Sequence, residues 1–287
     1  MSEVLGTDAG AISVAALFNN CIDCFEHIQI SRHFGDEFSR YQLRLDVAKC
    51  RLSRWGAAVD VNHDSRFFGK ASRDPTTALA RGLLEEMVAR FKATHRASLL
   101  YETISKESDM GICCEADLDT VSQRLHNRFR ELTIQRQNGV VLTKKPHWAV
   151  YDKKKMGRMI DDIFDLINDL EHVFPATPRA TGRLVQMEIE EVHDQQELRM
   201  IQEVAKDSDP VLEDTTRYKL QEITGKNTAG RISGKGSVNI GHTFVKDPFV
   251  HSNGFRDKTV NHVDEVDGGE TSRVNIGNTY GVKGFWD

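Results

Sequence analysis

Residues 227–244 recur at 261–280, and this repeat constrains the fold of the 287-residue chain more than any other feature. Asn227-Thr228-Ala229-Gly230-Arg231-Ile232 is echoed by Asn261-His262-Val263-Asp264-Glu265-Val266 at an offset of 34. Val238-Asn239-Ile240-Gly241-His242-Thr243-Phe244 returns as Val274-Asn275-Ile276-Gly277-Asn278-Thr279-Tyr280 at an offset of 36, so the first arc is two residues shorter. A unit of about twenty residues cannot bury its own apolar face, and two windings fall below the roughly three that stacked arrays need. The tail is therefore predicted to be marginal alone and completed by another copy of itself, which is the logic of an ordered amyloid. Stacking in register would set Ala229 over Val263, Ile232 over Val266, Val238 over Val274, Ile240 over Ile276 and Phe244 over Tyr280 as a dry core. Asn227 over Asn261 would form an amide ladder with rungs about 4.7 Å apart. Arg231 would lie over Glu265, opposite charges where like ones would otherwise stack. Lys235 falls near Glu270, in a register blurred by the shorter arc. A structureless glycine-rich tail would have no reason to keep these apolar pairs and an asparagine pair in phase.

Glycine usage marks the same boundary, since 11 of the 21 glycines lie in the last 67 residues. Residues 1–220 show helical periodicity instead. From Phe38, Tyr41, Leu45, Ala48, Leu52 and Trp55 form one stripe, with Gly56 read as its end. Leu79, Leu83, Met87 and Phe91 repeat the spacing behind Pro75-Thr76-Thr77. Leu118, Val121, Leu125, Phe129 and Leu132 follow, then Met159, Ile163, Ile167, Leu170 and Phe174, stopped by Pro175 and Pro178. Asp194 with Glu197 is a capping box ahead of Leu198, Ile201 and Ala205. Segments 14–30 and 94–104 also read as helical, and Arg183–Val192 is ambiguous. The expected architecture is mainly α, a helical domain over 1–220, followed by a tail over 221–287 that is disordered when soluble and forms a two-winding β-solenoid amyloid.

Charge and chemistry exclude several functions. With 38 bases against 43 acids, a net charge of −5 and no like-charge run, the chain offers no footprint for nucleic acid. The tail balances eight acids with eight bases, so it stacks without accumulating charge. Cys21, Cys24, Cys50, Cys113 and Cys114 are odd in number and follow no secretory segment, which predicts a reduced cytoplasmic location. Cys21-x-x-Cys24 lacks a second pair to complete a metal site and reads as packing. Gly230 to Gly236 is one residue short of a phosphate loop and lacks the hydroxyl after Lys235. His63, His95, His126 and His172 read as solvated helix-surface groups. Glu85-Glu86 and Asp161-Asp162 point apart on a helix, and Glu86 could serve as a bundle contact instead. No nucleophile and base occur together, so no enzyme, cofactor, metal or catalytic residue is expected.

The strings Leu17-Phe18-Asn19-Asn20-Cys21, Gln42-Leu43-Arg44-Leu45-Asp46 and Arg51-Leu52-Ser53-Arg54-Trp55-Gly56, with the two repeats and the closing Gly281-Val282-Lys283-Gly284-Phe285-Trp286-Asp287, resemble the fungal HET-s/HET-S heterokaryon-incompatibility family along the whole chain. The resemblance implies a HeLo domain, helical with a small β-hairpin, and a C-terminal prion-forming domain closed by Phe285 and Trp286. It also implies a pore-forming cell-death effector, triggered by templating of the tail by its own prion or by a NOD-like (STAND) receptor with a related motif. Two departures stand out: the first arc is shorter, and Gly230 faces Asp264 where the family pattern puts a charged pair. His33 resembles the killing type while Asp23 matches the inert type.

An effector of that kind needs a segment that meets lipid. No run of 18 apolar residues exists, but residues 9–30 open with an apolar stretch and then place Asn19, Asp23 and Glu26 on one helical face. A lone copy should insert poorly; several could turn that face inward around water, passing from the cytoplasm to the cell membrane on activation. The resting state expected is an amphipathic helix packed on the bundle. The alternative is a non-toxic amyloid scaffold that co-assembles with, or inhibits, a toxic partner.

Overall fold

The computed structural model describes residues 12–68, 74–104, 111–137, 146–224, 226–234, 237–241, 243–244, 260–268, 272–277 and 279–280. The chain divides into two compact units, one comprising residues up to Val192 with Met200–Glu213, the other His193–Arg199 with Asp214 onward.

The first unit is built on α1 (Val14–Glu26), α2 (Phe38–Ala58), α3 (Pro75–Ile104), α4 (Thr120–Arg136), α5 (Lys153–Val173) and α6 (Pro178–Ile189); α7 (Gln195–Ala205) and α8 (Pro210–Thr224) each cross the division. Polar caps start several of these helices, satisfying N–H groups that no helix can satisfy for itself. Ser13 Oγ accepts from Ala16 at 3.2 Å, Asp119 from Val121 and Ser122, Asp152 from Lys154 and Lys155, and Asp194 from Gln196 and Glu197. The centre is α2, packed against α1, α4, α5 and α6. Its Leu45, Ala48, Leu52 and Trp55 are buried, as are Ile163, Ile167 and Leu170 of α5.

Four local readings of the sequence change. The first helix stops at Glu26, and Ile28–Ile30 is a strand, β1, paired in parallel with β2 (Trp148–Val150). The expected hairpin is thus, among the described residues, a parallel pair that joins segments far apart in sequence. The stretch after Pro75 is one 30-residue helix, and its buried stripe is Thr77, Ala80, Leu84, Met87 and Phe91 while Leu79 is exposed. The ambiguous segment is helical as far as Ile189. Finally, Gly56 lies inside α2 and is there for close approach: a Cβ on it would sit 2.3 Å from Phe18 Cζ. Phe18 is buried beside Trp55, ring centroids 6.0 Å apart, and cannot swing away. Gly56→Ala is expected to destabilise the chain by about 1–3 kcal/mol through overpacking, read as a lower denaturant midpoint.

Among its described residues the second unit carries six strands: β3 (Lys226–Gly234), β4 (Ser237–Ile240), β5 (Thr243–Phe244), β6 (Val260–Gly268), β7 (Arg273–Ile276) and β8 (Thr279–Tyr280). They pair in parallel as β3–β6, β4–β7 and β5–β8, so each strand of the second winding lies on its counterpart in the first. Parallel pairing of equivalent strands is what a solenoid winding produces. Helix α8 ends at Thr224 and β3 begins at Lys226, so a complete last helix and a wound tail occur in the same molecule.

Candidate functional site

The two windings place the repeat residues in a defined register. Asn227 lies opposite Asn261, Ala229 opposite Val263, Arg231 opposite Glu265 and Ile232 opposite Val266. Val238 lies opposite Val274, Ile240 opposite Ile276, and Phe244 opposite Tyr280. The core they would make is not dry in one copy: Val266 and Ile276 are 43% and 46% exposed, and Ala229, Ile232, Val238, Ile240, Val263 and Val274 are half-buried. Among the described residues, the two rungs leave part of this apolar surface open. Arg231 reaches Glu265 at 3.5 Å and Asp267 at 3.7 Å, while Asp264, opposite the side-chain-free Gly230, takes His262 at 3.0 Å. Lys235, Glu270 and the closing Phe285 and Trp286 lie outside the described residues.

The described amide ladder is one the sequence reading missed. Asn275 Nδ2 donates to Asn239 Oδ1 at 2.6 Å, and each amide also donates to a carbonyl two residues on, Asn239 to Gly241 and Asn275 to Gly277. Gly241 and Gly277 have φ of 151° and 156°, a backbone open only to glycine, which turns the chain back toward those amides. The identical Val-Asn-Ile-Gly strings carried the signal.

Helix α1 holds its polar groups against the bundle. Asn19 donates to Asn62 at 2.9 Å, Asp23 is buried, and Glu26 pairs with the buried Lys49 of α2. Burial, reinforced by Arg130, pulls the Lys49 pKa down to about 8 against the pull of Asp23. His33 is exposed on the turn after β1, its N–H donating to Ser31 Oγ. Cys21 and Cys50 are buried; burial with Glu188 nearby pushes the Cys50 thiol up to about 12, which leaves it unreactive. No helix of the described residues is long and apolar enough to cross a membrane.

Two charged clusters escaped the sequence reading. Arg54 is buried between two buried carboxylates, donating to Glu188 at 3.0 and 3.1 Å and to Asp209 at 3.1 Å; Arg136 reaches Glu188 at 2.8 Å. Burial alone would lower the Arg54 pKa, but Asp209 and Glu188 outweigh it and keep the guanidinium charged. Asp209 also accepts from the Leu212 N–H at 3.2 Å, so one carboxylate caps α8 and ties its start to α2. His126, expected to be solvated, instead meets the buried Asp46 at 2.8 Å. Glu86 pairs on the surface with Arg90.

The His126 pair predicts a pH dependence. Burial opposes protonation, but the hydrogen bond and charge of Asp46, with Glu115, raise the His126 pKa above its usual 6.5. The folded state therefore binds this proton more tightly, so the stabilisation is full below about pH 6.5 and is lost as pH rises through the folded value. The stability advantage of the wild type over His126→Asn should shrink from pH 6 to about pH 8, measured by urea unfolding.

Comparison with known proteins places these features. Residues 6–201 match the HeLo family, described as prion-inhibition and propagation, and residues 219–281 match the Het-s 218-289 family. The chain is 38% identical over 289 residues, with 100% of both chains covered, to the heterokaryon incompatibility protein s of Podospora anserina, and 38% identical to protein S of Podospora anserina strain S over the same span. The solved HET-S N-terminal domain is similar with a TM-score of 0.73 and 38% identity, covering 75% of this chain and 96% of that one. A mutant HET-s N-terminal domain gives 0.71 and 37%, covering 73% and 99%. Helical bundle, twofold β-winding and full-length identity agree: the chain belongs to the HET-s/HET-S heterokaryon-incompatibility family, a HeLo domain followed by a prion domain, which is not a known enzyme family.

Proposed function

We propose that this protein is a cell-death effector of heterokaryon incompatibility, with residues 1–220 as effector and 221–287 as the prion-forming segment. The observation that carries the reading is the unfinished core of the two windings, where the exposed Val266 and Ile276 offer apolar surface that a further winding covers. A second copy, or the related motif of a NOD-like (STAND) receptor, supplies that winding and seeds growth in the cytoplasm. Stacking then concentrates the helical domains, releases α1 from the bundle and delivers it to membrane lipid.

The 13 residues of α1 span about 20 Å, short of a hydrocarbon core of about 30 Å, so insertion draws on flanking residues of the 9–30 segment. Asp23 near its centre costs about 2.5–3.5 kcal/mol in a lone helix. Several copies with Asn19, Asp23 and Glu26 turned to a water-filled centre offset that cost, and fibre attachment provides the local concentration. The test is dye release from anionic liposomes by the full chain with preformed tail seeds. Fibre growth without release ends the pore-forming reading; release that persists after Asn19→Leu, Asp23→Leu and Glu26→Leu together ends the lining role of those residues.

A second reading is favoured by one observation, the presence of an intact α8 directly before a wound β3. A tail that stacks without unwinding that helix would give a non-toxic fibre that co-assembles with, or inhibits, a toxic partner. The same assay separates the two, since this form would grow fibres, release nothing and reduce release by a toxic relative.

A further inference from the structure

The helical unit holds a cavity of about 560 Å³, a volume within the range of small-molecule sites. It is enclosed by the last turn of α1, β1, α2, the 113–118 turn and α4, and its apolar walls are the buried Phe25, Ile28, Ile30, Phe38, Leu45 and Leu118. Its charged groups are matched one for one: Lys49 with Glu26, His126 with Asp46 at 2.8 Å, and Arg130 with Glu115 at 3.2 Å. A ligand with a net charge would have to break one of these pairs, whereas a neutral head on an aliphatic chain breaks none. One wall group is chemically unusual. Lys49 is only 7% exposed, and burial with Arg130 nearby holds its pKa at about 8. Roughly one molecule in seven then carries a neutral amine at about pH 7.2, against fewer than about one in a thousand for an ordinary lysine. Such an amine, in contact with a carboxylate that can take and return a proton and set in an apolar wall, is equipped to condense with carbonyls.

We propose that Lys49 is a carbonyl-condensing amine, and that the cavity seats a medium-chain aliphatic aldehyde with its chain against the apolar walls. The Lys49 ammonium gives a proton to Glu26, and the freed Nζ adds to the carbonyl carbon, forming the C–N bond as the C=O double bond opens. A proton passes from nitrogen to oxygen to give the carbinolamine. Glu26 then returns its proton to the hydroxyl, the C–O bond breaks and water leaves. One ammonium and one aldehyde thus yield one protonated imine and one water, with nothing oxidised or reduced. The imine keeps the positive charge of Lys49 beside Glu26, so the product strands no carboxylate. Because Glu26 closes α1 and Lys49 belongs to α2, the adduct sits on the seam between those helices.

Reductive trapping in the full chain tests this. The protein is incubated with hexanal and cyanoborohydride, which fixes the imine as a hexylamine, and the modified lysines are mapped by peptide mass spectrometry. At about pH 7.2, Lys49 should be labelled at least about tenfold faster than the exposed Lys92 and Lys206. That preference should shrink severalfold with formaldehyde, which has no chain to seat, and vanish in concentrated urea. Labelling of Lys49 no faster than Lys92 and Lys206 overturns the proposal. An equal preference with formaldehyde, or one that survives urea, overturns the role of the cavity. Glu26→Gln should slow labelling at Lys49 by at least about tenfold while leaving Lys92 unchanged, and Glu26→Asp, which keeps a carboxylate, should recover part of the rate. An unchanged Lys49 rate in Glu26→Gln overturns the proton transfer through Glu26.

Discussion

Ile240→Asp should abolish seeded fibre growth, and Val274→Asp should do the same. Both positions lie inside the stacked register, Ile240 opposite Ile276 and Val274 opposite Val238, and both are half-buried in a single copy. Further windings would remove the remaining water. A carboxylate there has no partner and recurs in every added molecule. A penalty of about 4 kcal/mol, modest for a charge buried without a partner, is already about a thousandfold at each addition. Seeded thioflavin kinetics should show no elongation for either variant, while Ser237→Asn, at an exposed position of the same strand, should elongate normally. Wild-type kinetics for Ile240→Asp would refute the register.

Arg54→Met should cost about 3–5 kcal/mol of stability, because it strands Asp209 and part of the Glu188 charge in a site closed to water. This is the penalty of leaving a buried charge unpaired rather than the net worth of the ion pair. Adding Asp209→Asn should therefore recover a large share, since the amide removes the orphan charge and can still accept from the Leu212 N–H. Urea unfolding of the full chain, followed by helical circular dichroism, gives both values. A loss below about 1 kcal/mol for Arg54→Met would mean that water reaches the cluster in solution.

The register of the tail was legible because each strand repeats itself in phase, so that one alignment fixes every pair from Asn227 with Asn261 to Phe244 with Tyr280. The Asn239–Asn275 bond was less legible, since it depends on the glycine corner that turns backbone carbonyls toward these amides. The helical stripes of α2, α4 and α5 could be read because burial follows the 3.6-residue period. Gly56 was misread because a glycine that ends a helix and one that admits a neighbouring ring are the same letter. The Arg54 cluster could not be read at all, since its partners lie 134 and 155 residues away and charged residues are assigned by default to the surface. His126 was misplaced for the same reason, as nothing local shows that Asp46 is buried opposite it.

The short step from α8 to β3 has a consequence for crowding. In the proposed stack each molecule would add two rungs, an advance of about 9.5 Å along the axis. A compact domain of about 210 residues has a radius of gyration near 17 Å and measures about 40 Å across. If the proposed stack forms, domains joined this directly to their tails could not all keep the same position beside an axis that advances by less than a quarter of their width. Every joining copy would then press on its neighbours, and the load would fall on the last turns of α8. Such a fibre would be a ruler too fine for the objects hung on it.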